Sequence, residues 1–353
     1  MRQNRKDNQV YPLTFREEGR RESVAVFSTS AYDPLPMVQA MMKRPLLFSL
    51  LASFPFAWAS CGSSPKPEKD PEIEQRFLAE QKKREEFLAK SKDTGRKLIL
   101  LDQAMFEFSS NFSHKENPKA QRKAEGLLRF LRTQTLKIED ELIRQQREGS
   151  IRDRSISTAA LGFVNDKRVL PLLVAGLKDK NPQVRISAAF ALGVQGNPLT
   201  PVQELGRILL DGEADTTLQR NASWALMRIQ ENGAPQEIFR KLWEKYLKGD
   251  PISKDLVVLV HSIRGLGLLR SPDALPALVP YLSHPKPLIR QATAIAIGRA
   301  GNRDAAKLLI DLLGGRESNP NVRLAARKAL KALAGGAVDR EYDLAAWKKE
   351  FGL

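Results

Sequence analysis

A short phrase returns six times in the second half of the chain, and this repetition limits the fold more than any other feature. In each copy a small residue precedes an aliphatic anchor position, and glycine usually follows it. The anchor positions are Leu161, Leu192, Leu226, Leu266, Ile297 and Leu330. They lie 31, 34, 40, 31 and 33 residues apart, which is the period of repeats made of two helices. The sequence therefore predicts a stacked array of helical units.

Other positions keep step with the anchor positions. The residue eight places earlier is aliphatic in five of the six copies, as in Val184 and Val322, and the residue four places earlier is small, as in Ala188, Ala222 and Ala326. Small residues at this spacing allow one helix to approach the next closely, while aliphatic residues fill the seam between them. Aromatic residues make up only 7% of the chain. Together these features predict an all-α fold.

The residues that lead into two of the anchor positions identify the type of repeat. Residues 181–185 (Asn-Pro-Gln-Val-Arg) and 319–323 (Asn-Pro-Asn-Val-Arg), each continuing to an Ala-Leu pair, resemble HEAT repeats of the short bacterial kind that is also found in phycobilisome lyase subunits. The resemblance implies a right-handed α-solenoid of about six HEAT-like helix pairs over residues 149–336. The third and fourth copies depart from the pattern, with Gln219 and Leu259 where the other copies carry arginine.

Four arginines lie seven residues before their anchor positions: Arg154, Arg185, Arg290 and Arg323. They could form a basic stripe that binds an acidic ligand. In HEAT repeats, however, an arginine in this helix commonly bonds neighbouring loops and acidic groups, so the resemblance favours a structural ladder. Asp166, Asp273 and Asp304 recur in the preceding loops and are the expected acidic partners.

Two further segments flank the predicted array. Residues 72–148 carry apolar residues at helical spacing among many charges, and we expect a helical N-terminal segment with helices near 72–90, 97–112 and 119–147. Residues 337–353 resemble the closing segment of bacterial HEAT arrays, with Tyr342 and Trp347 covering the last apolar face. A terminal repeat must be capped to stay soluble. The alternative interpretation is that this aromatic pair binds a partner.

The region before the helices has the form of an export signal. In residues 41–60 a short positive segment precedes a core of about 13 apolar residues and then small residues, the three parts of a signal peptide. Cys61 follows directly and resembles the lipidated cysteine of bacterial lipoproteins; the resemblance implies a diacylglycerol anchor at this thiol. Residues 61–71 form a Pro-rich polar tether. Ordinary cleavage after residues 57–59 (Ala-Trp-Ala) remains open, and residues 1–40 are interpreted as a start-site artefact or a disordered lead.

The net charge and the residue types of the chain limit the functions that we expect. The net charge is +16, and residues 149–353 contain 30 basic and 20 acidic side chains. This excess suits either an anionic partner or a solvated helical exterior. One cysteine and three scattered histidines make a metal site unexpected, and no motif for a cofactor or for catalysis is recognised.

The expected function is therefore a non-catalytic scaffold that binds an envelope protein or peptide, held at a membrane of the bacterial cell envelope by its lipid anchor. Two alternatives stay open. A HEAT-like protein with an unused signal could bind nucleic acid, although the export signal disfavours this partner. A lyase-like enzyme subunit is the other alternative, suggested only by the resemblance to phycobilisome lyases. The sequence leaves the oligomeric state undetermined.

Overall fold

A computed structural model of the protein describes residues 71–114, 117–250, 252–314 and 317–353, with side chains from residue 75 onward. The predicted lead (1–40), the signal (41–60), Cys61 and the tether up to residue 70 lie outside the described residues. Within the described ranges the chain forms sixteen α-helices and four short 3-10 helices, and no strand. The prediction of an all-α fold is confirmed.

The α-helices, in chain order, are α1 (Pro71–Lys90), α2 (Thr94–Ser113), α3 (Pro118–Lys137), α4 (Glu139–Glu148), α5 (Ile151–Leu161), α6 (Leu170–Gly176), α7 (Pro182–Gln195), α8 (Gln203–Leu210), α9 (Thr216–Glu231), α10 (Gln236–Leu247), α11 (Leu256–Leu268), α12 (Leu275–Leu278), α13 (Pro287–Ala300), α14 (Ala306–Leu313), α15 (Pro320–Leu333) and α16 (Leu344–Phe351). The 3-10 helices are Lys167–Val169, Pro272–Ala274, Val279–Ser283 and Arg303–Ala305.

Two layers of helices form an α-solenoid. The six helices that lead into or carry the anchor positions, here called the anchor helices, are α5, α7, α9, α11, α13 and α15, and each packs against the next. The helices between them, here called the second helices, are α4, α6, α8, α10, α12 and α14, and each packs on the anchor helix that follows it. The repeat is therefore a helix pair whose later member is the anchor helix, and six pairs are present in the described ranges.

Side-chain caps fix where the anchor helices begin. Asn181 accepts a hydrogen bond from the backbone of Gln183, and Asn319 does the same for Asn321. Proline at the first helical position supplies a fixed φ and has no backbone N–H that needs a partner. The side-chain N-caps of the other anchor helices are Ser150, Asp215 and Asp255. The N-cap of α13 is Lys286, which makes no such bond.

The glycine behind the anchor position allows the anchor helices to touch backbone to backbone. A Cβ added at Gly298 would lie 2.7 Å from the Cα of Ala329, and one added at Gly162 would lie 2.6 Å from the Cα of Ala191. Both alanines directly precede the next anchor position. Any larger residue at these glycines would force the helices apart. The glycine of the repeated phrase therefore marks where neighbouring anchor helices are in close contact.

Both ends of the stack are covered. At the start, α2 packs against α5 and forms a hairpin with α3. At the end, α16 packs on α14, and the side chain of Trp347 is fully buried. The single helix expected over residues 119–147 is divided at Ile138, where the backbone leaves the helical region. Glu139, Asp140 and Glu141 then open α4, because acidic residues are favoured at the positive end of a helix dipole.

Candidate interaction surface

Arginines and carboxylates connect successive anchor helices. In each pair an arginine near the start of one anchor helix reaches a carboxylate just before, or at, the start of the next. The pairs are Arg154 with Asp179 at 3.0 Å, Arg220 with Asp255 at 2.7 Å, and Arg290 with Glu317 at 2.6 Å. Each carboxylate also accepts backbone N–H groups in its own loop or helix start. These pairs therefore join the starts of α7, α11 and α15 to the anchor helix before each of them.

The structure places the four arginines predicted from the sequence in different surroundings. Arg154 and Arg290 belong to the pairs above. Arg323 donates to the backbone oxygen of Leu313 at 3.1 Å, and its guanidinium lies 5.2 Å from the ring centre of Tyr342. The Nε–H of Arg185 is buried without a hydrogen-bond acceptor in the part of the chain that the structure describes. Three of the four therefore make contacts that bridge repeat elements.

The acidic partners differ from those expected. Asp166 pairs with Arg168 two residues away, at 2.8 Å, and Asp273 lies 3.8 Å from Arg240. Asp304 is exposed in a short 3-10 helix, where its backbone N–H is capped by Asn302. The expectation of Asp166, Asp273 and Asp304 as ladder partners was wrong, because the arginines reach forward to the next anchor helix.

The irregular third copy keeps the contacts with different residues. Gln219 stands where the other copies carry arginine, and its amide donates to the backbone oxygen of Leu209 at 2.9 Å. This is the bond that Arg323 makes to Leu313, ten residues before it in both cases. The guanidinium of Arg220, one residue later, donates to the carboxylate of Asp255. In the third copy, therefore, Gln219 makes the backbone contact and Arg220 makes the carboxylate contact that arginines make in other copies.

The two aromatic residues of the C-terminal segment differ in burial and in their contacts. Trp347 is fully buried, donates from its indole to the backbone oxygen of Glu341 at 3.0 Å, and stacks on Phe351. Tyr342 is 43% exposed and lies beside the guanidinium groups of Arg323 and Arg327. Trp347 therefore packs inside the cap, whereas Tyr342 remains at the surface.

One side of the anchor layer faces away from the second helices. Ala188, four residues before its anchor position, lies against Gly176 of a second helix. A helix turns by about 100° per residue, so positions nine, six and two residues before the anchor, and two after it, point roughly the other way. We call the side formed by these four positions of all anchor helices the open face.

The open face is closed at its N-terminal end by aromatic side chains. Phe190 and Trp224 occupy open-face positions of α7 and α9, Phe163 lies in the turn directly after α5, and all three are at most 1% exposed. Phe108 of α2 meets Phe163 edge-on at 5.3 Å between ring centres, and the series continues to Phe190 at 6.2 Å and to Trp224 at 6.0 Å. This aromatic series joins α2 to three anchor helices.

The electrostatics of Asp102 agree with α2 lying on this side of α5. Burial raises the pKa of Asp102 in α2, and the positive charge of Arg152 opposes that shift. Arg152 is the open-face residue at the start of α5, and Phe163 follows the end of α5 by two residues. The Phe108–Phe163 contact and the charge effect of Arg152 on Asp102 both agree with α2 lying beside the open face of α5.

From α9 onward the open face carries positive charge. Its residues on the four last anchor helices are Thr217, Arg220, Trp224, Arg228, Val257, Val260, Arg264, Leu268, Leu288, Gln291, Ile295, Arg299, Asn321, Leu324, Lys328 and Ala332. Five of these sixteen are basic and none is acidic. Arg228, Arg264 and Arg299 are half-buried, while Leu324 and Lys328 are exposed.

Three arginines gather at the centre of this region, and we call Arg228, Arg264 and Arg299 the arginine group. Burial lowers the pKa of Arg299 to about 10, with a further lowering from the positive charges of Arg264 and Arg270 and an opposing effect of Glu231. Arg299 remains protonated at neutral pH. Glu231 also pairs with Arg228 at 3.2 Å. Glu231 therefore lies beside the arginine group and offsets part of its positive charge.

Sequence analysis missed the arginine group because its members sit at different offsets from the anchor. Arg228 and Arg299 follow it by two residues, whereas Arg264 precedes it by two. In a helix these offsets are only about 40° apart. Projecting every repeat onto one helical wheel would have placed them together.

His261 is a buried histidine that packs inside the array. His261 is buried in α11, with its Nδ1 2.8 Å from the hydroxyl of Ser223. In the described ranges no three side chains of His, Cys, Asp or Glu gather closely enough to hold a metal ion. No described helix combines the length and the apolar character needed to cross a membrane.

Two family models match the chain. One, described as HEAT repeats, covers residues 252–336, and the other, described as HEAT repeat, covers residues 169–194. The chain contains HEAT repeats. The matched ranges hold helices α11 to α15 and helices α6 and α7, whereas α4, α5 and α8 to α10 lie outside them. No curated protein matches the sequence.

Solved structures with a similar arrangement include an engineered protein, human deoxyhypusine hydroxylase in complex with glycerol, and the complex of CpcE and CpcF of phycocyanin lyase from Nostoc sp. PCC7120. Sequence identities are 18%, 19% and 16%, and TM-scores are 0.43, 0.26 and 0.35. The matches cover 57%, 71% and 84% of this chain, and 98%, 95% and 99% of the other chains. At these identities the likeness says nothing of a shared activity.

Proposed function

We propose that this HEAT-repeat protein is a non-catalytic interaction scaffold, held at the bacterial cell envelope through a lipid on Cys61, where it binds a protein or peptide partner. The observation that carries the proposal is the open face of α9 to α15. It presents side chains from four consecutive anchor helices, and the structure leaves most of them half-buried or exposed.

The scaffold is rigid at the place where it would bind. Arg220–Asp255 and Arg290–Glu317 join neighbouring anchor helices on this part of the array. Glycine contacts hold the backbones of α11, α13 and α15 together. A binding surface whose parts are already fixed loses little conformational entropy when it takes up a ligand. An ordered surface of this kind serves recognition without any reactive group.

The anchoring part of the proposal rests on the sequence. Residues 41–60 have the three parts of an export signal, Cys61 follows small residues, and a polar tether leads to α1. A scaffold confined to a membrane surface meets local partners at a high effective concentration. Confinement would therefore compensate for modest affinity at the open face.

Two measurements on the full-length protein in a native or related bacterial host test the proposal. Intact-mass analysis of membrane extracts should show a chain that begins at Cys61 with added acyl mass, and Cys61→Ser should lose that mass. Chemical cross-linking in intact cells should then join the wild-type protein to an envelope component, and the variant should lose most of this product. An unprocessed cytosolic chain, or cross-linking that is independent of Cys61, would contradict the anchored scaffold.

A further inference from the structure

Two opposite stripes of residues run along α3. The inner stripe is buried against the neighbouring helices and consists of Ala120, Ala124, Leu127, Leu131 and Thr135. The opposite stripe recurs at steps of three and four residues, the spacing of one helix face, and consists of Arg122, Glu125, Arg129, Arg132 and Leu136. We call this second set the outer stripe. The whole helix carries six basic side chains and one acidic side chain.

The three arginines of the outer stripe face solvent. Arg129 and Arg132 are exposed, Arg122 is half-buried, and no guanidinium nitrogen of Arg122 is buried. Within the part of the chain that the structure describes, none of the three makes an ion pair, a side-chain hydrogen bond or a ring contact. The arginines that join the anchor helices are, by contrast, paired with carboxylates. The charge of the outer stripe is therefore accessible to a ligand.

Leu136 ends the outer stripe with an apolar side chain. It is 56% exposed and lies one turn beyond Arg132 on the same face. Exposed apolar area beside cations is typical of helices that lie at the boundary between lipid headgroups and acyl chains. The outer stripe therefore combines the two chemical features that an anionic membrane surface binds.

The helix α3 lies close to the point where the tether enters the fold. A Cβ added at Gly126 of α3 would lie 2.5 Å from a ring carbon of Phe77 in α1, so the two helices touch here. Phe77 is six residues after Pro71, the start of α1, and ten residues separate Pro71 from Cys61. Ten residues span at most about 36 Å. A lipid on Cys61 would therefore hold α3 near the membrane surface.

We propose that the outer stripe of α3 lies against anionic lipid headgroups of the membrane to which the Cys61 lipid attaches the chain. The inference rests on the anchoring part of the proposed function and adds a second contact with the membrane. A single flexible tether leaves the array free to rotate, whereas a second contact through α3 restricts its orientation.

The form of the outer stripe favours a lipid surface over nucleic acid. The stripe runs for fourteen residues along the outside of one helix, a length of about 21 Å. Single-stranded nucleic acid is held in grooves by aromatic rings on which bases stack, and the outer stripe contains no aromatic residue. A bilayer presents many phosphate groups in one plane, and the planar fork of arginine binds phosphate. A line of three guanidinium groups can therefore contact several headgroups at once.

Vesicle partition tests the contact without the lipid anchor. All samples are the full-length Cys61→Ser protein, so residues 1–60 are the same in each. Sedimentation measures its partition into phosphatidylglycerol vesicles and into neutral phosphatidylcholine vesicles, and a single-stranded oligonucleotide is the competing ligand. The comparison of the two lipids separates the effect of charge from that of the apolar residues 45–57.

Matched variants locate the contact. Arg129→Gln/Arg132→Gln removes two charges from the outer stripe, and Lys245→Gln/Lys307→Gln removes two exposed charges from the second helices. We expect the arginine variant to weaken partition into phosphatidylglycerol by about tenfold or more, because each basic residue near an anionic surface contributes separately. The lysine variant should change it by less than about twofold. Salt at about 1 M should remove most of the preference for phosphatidylglycerol.

A second measurement uses the acylated protein in phosphatidylglycerol vesicles. The lipid occupies the thiol of Cys61, so a fluorophore can be attached to one introduced cysteine. Thr133→Cys places it beside the outer stripe, and Ser318→Cys places it in the loop before α15; both positions are exposed. Nitroxide-labelled headgroups should quench the fluorophore more strongly at position 133, and Arg129→Gln/Arg132→Gln should remove this difference.

Several results would overturn the inference. These are equal partition into the two lipids, an arginine variant that partitions like the wild type, and stronger quenching at position 318. Oligonucleotide binding that is tighter than vesicle binding and is lost with the arginine variant would assign the stripe to nucleic acid instead. An acylated chain without lipid preference would refute this contact alone. An unacylated chain that still prefers phosphatidylglycerol through the outer stripe would refute the anchor alone.

Discussion

Phe190 and Arg264 occupy the same position of the repeat, two residues before the anchor, yet Phe190 is fully buried and Arg264 is half-buried. The same holds two residues after the anchor, where Phe163, just beyond the first anchor helix, is buried and Arg299 of the fifth anchor helix is half-buried. In the N-terminal half these positions belong to a core that includes α2. In the C-terminal half they belong to a surface.

The difference shows how a repeated fold separates stability from recognition. The anchor residues and the glycine contacts are shared by both halves and determine the stacking. The open-face positions point away from the second helices, and the two halves of the array fill them with different residue types. Aromatic residues there attach the N-terminal helices, and basic residues there leave a surface for a partner.

The largest expected effect comes from removing an aromatic residue of the closed half. Phe190→Ala deletes a fully buried ring between Phe163 and Trp224. We expect the free energy of unfolding, measured with urea, to fall by about 3–5 kcal/mol. Leu199→Ala, at a residue that is 69% exposed, is the control and should change it by less than about 0.5 kcal/mol. A loss below about 1 kcal/mol for Phe190→Ala would show that the aromatic series is not a core.

The second prediction concerns the contact common to both halves. Gly298→Ala places a Cβ 2.7 Å from the Cα of Ala329, and backbone must move to accept it. We expect a loss of about 2–3 kcal/mol in urea unfolding. Gly212→Ala meets no atom within 4 Å and should be nearly neutral. Equal stability of the two variants would mean that the anchor helices are not held in close contact.

The third prediction uses the pair Arg290–Glu317, which links α13 to the start of α15. The Arg290 side chain holds the pKa of Glu317 below its usual value of 4.5. The pair therefore stabilises the fold fully above pH 4.5, and this contribution is lost as the pH falls through the lowered pKa. Arg290→Gln should cost about 1–2 kcal/mol at pH 7, because Glu317 is left buried without its cation.

The pH dependence supplies the check on this pair. Urea unfolding of the wild type and of Arg290→Gln should give curves that converge as the pH is lowered below 4.5. Lys241→Gln, whose side chain is 75% exposed, should differ little from the wild type at every pH. A gap that stays constant down to pH 3 would mean that Arg290 acts by packing and not through the carboxylate.

The sequence predicts the array well because its signal is local and repeated. The anchor phrase needs only helical geometry and neighbouring copies, and the asparagine-proline starts mark the helix ends. The carboxylates of Asp179 and Glu317 were missed because their arginines lie in the preceding anchor helix, with a second helix in between. The arginines are 25 and 27 residues earlier in the chain. The covering of α5 by α2 joins Phe108 to Phe163, and no period in the sequence connects those two residues.

The smallest expected effect on stability comes from the arginine group in the C-terminal half of the array. Arg264→Gln/Arg299→Gln should lower the free energy of unfolding by less than Phe190→Ala does, because both arginines are half-buried whereas the Phe190 ring is fully buried. Urea unfolding beside Phe190→Ala provides the measurement. A loss of several kcal/mol would show that the arginine group is part of the core.

The most direct test of a closed and a binding half is site-specific photo-cross-linking in intact bacteria. A photoreactive amino acid is placed in the full-length chain at Ile295 on the open face, or at Lys241 or Lys307 on the second helices. We predict a discrete cross-linked partner from position 295 that is lost when Arg264→Gln/Arg299→Gln is added, and little product from positions 241 and 307. Cross-linking that is strongest from the second helices, or that is unchanged by the arginine substitutions, would contradict the assignment of the open face as the binding surface.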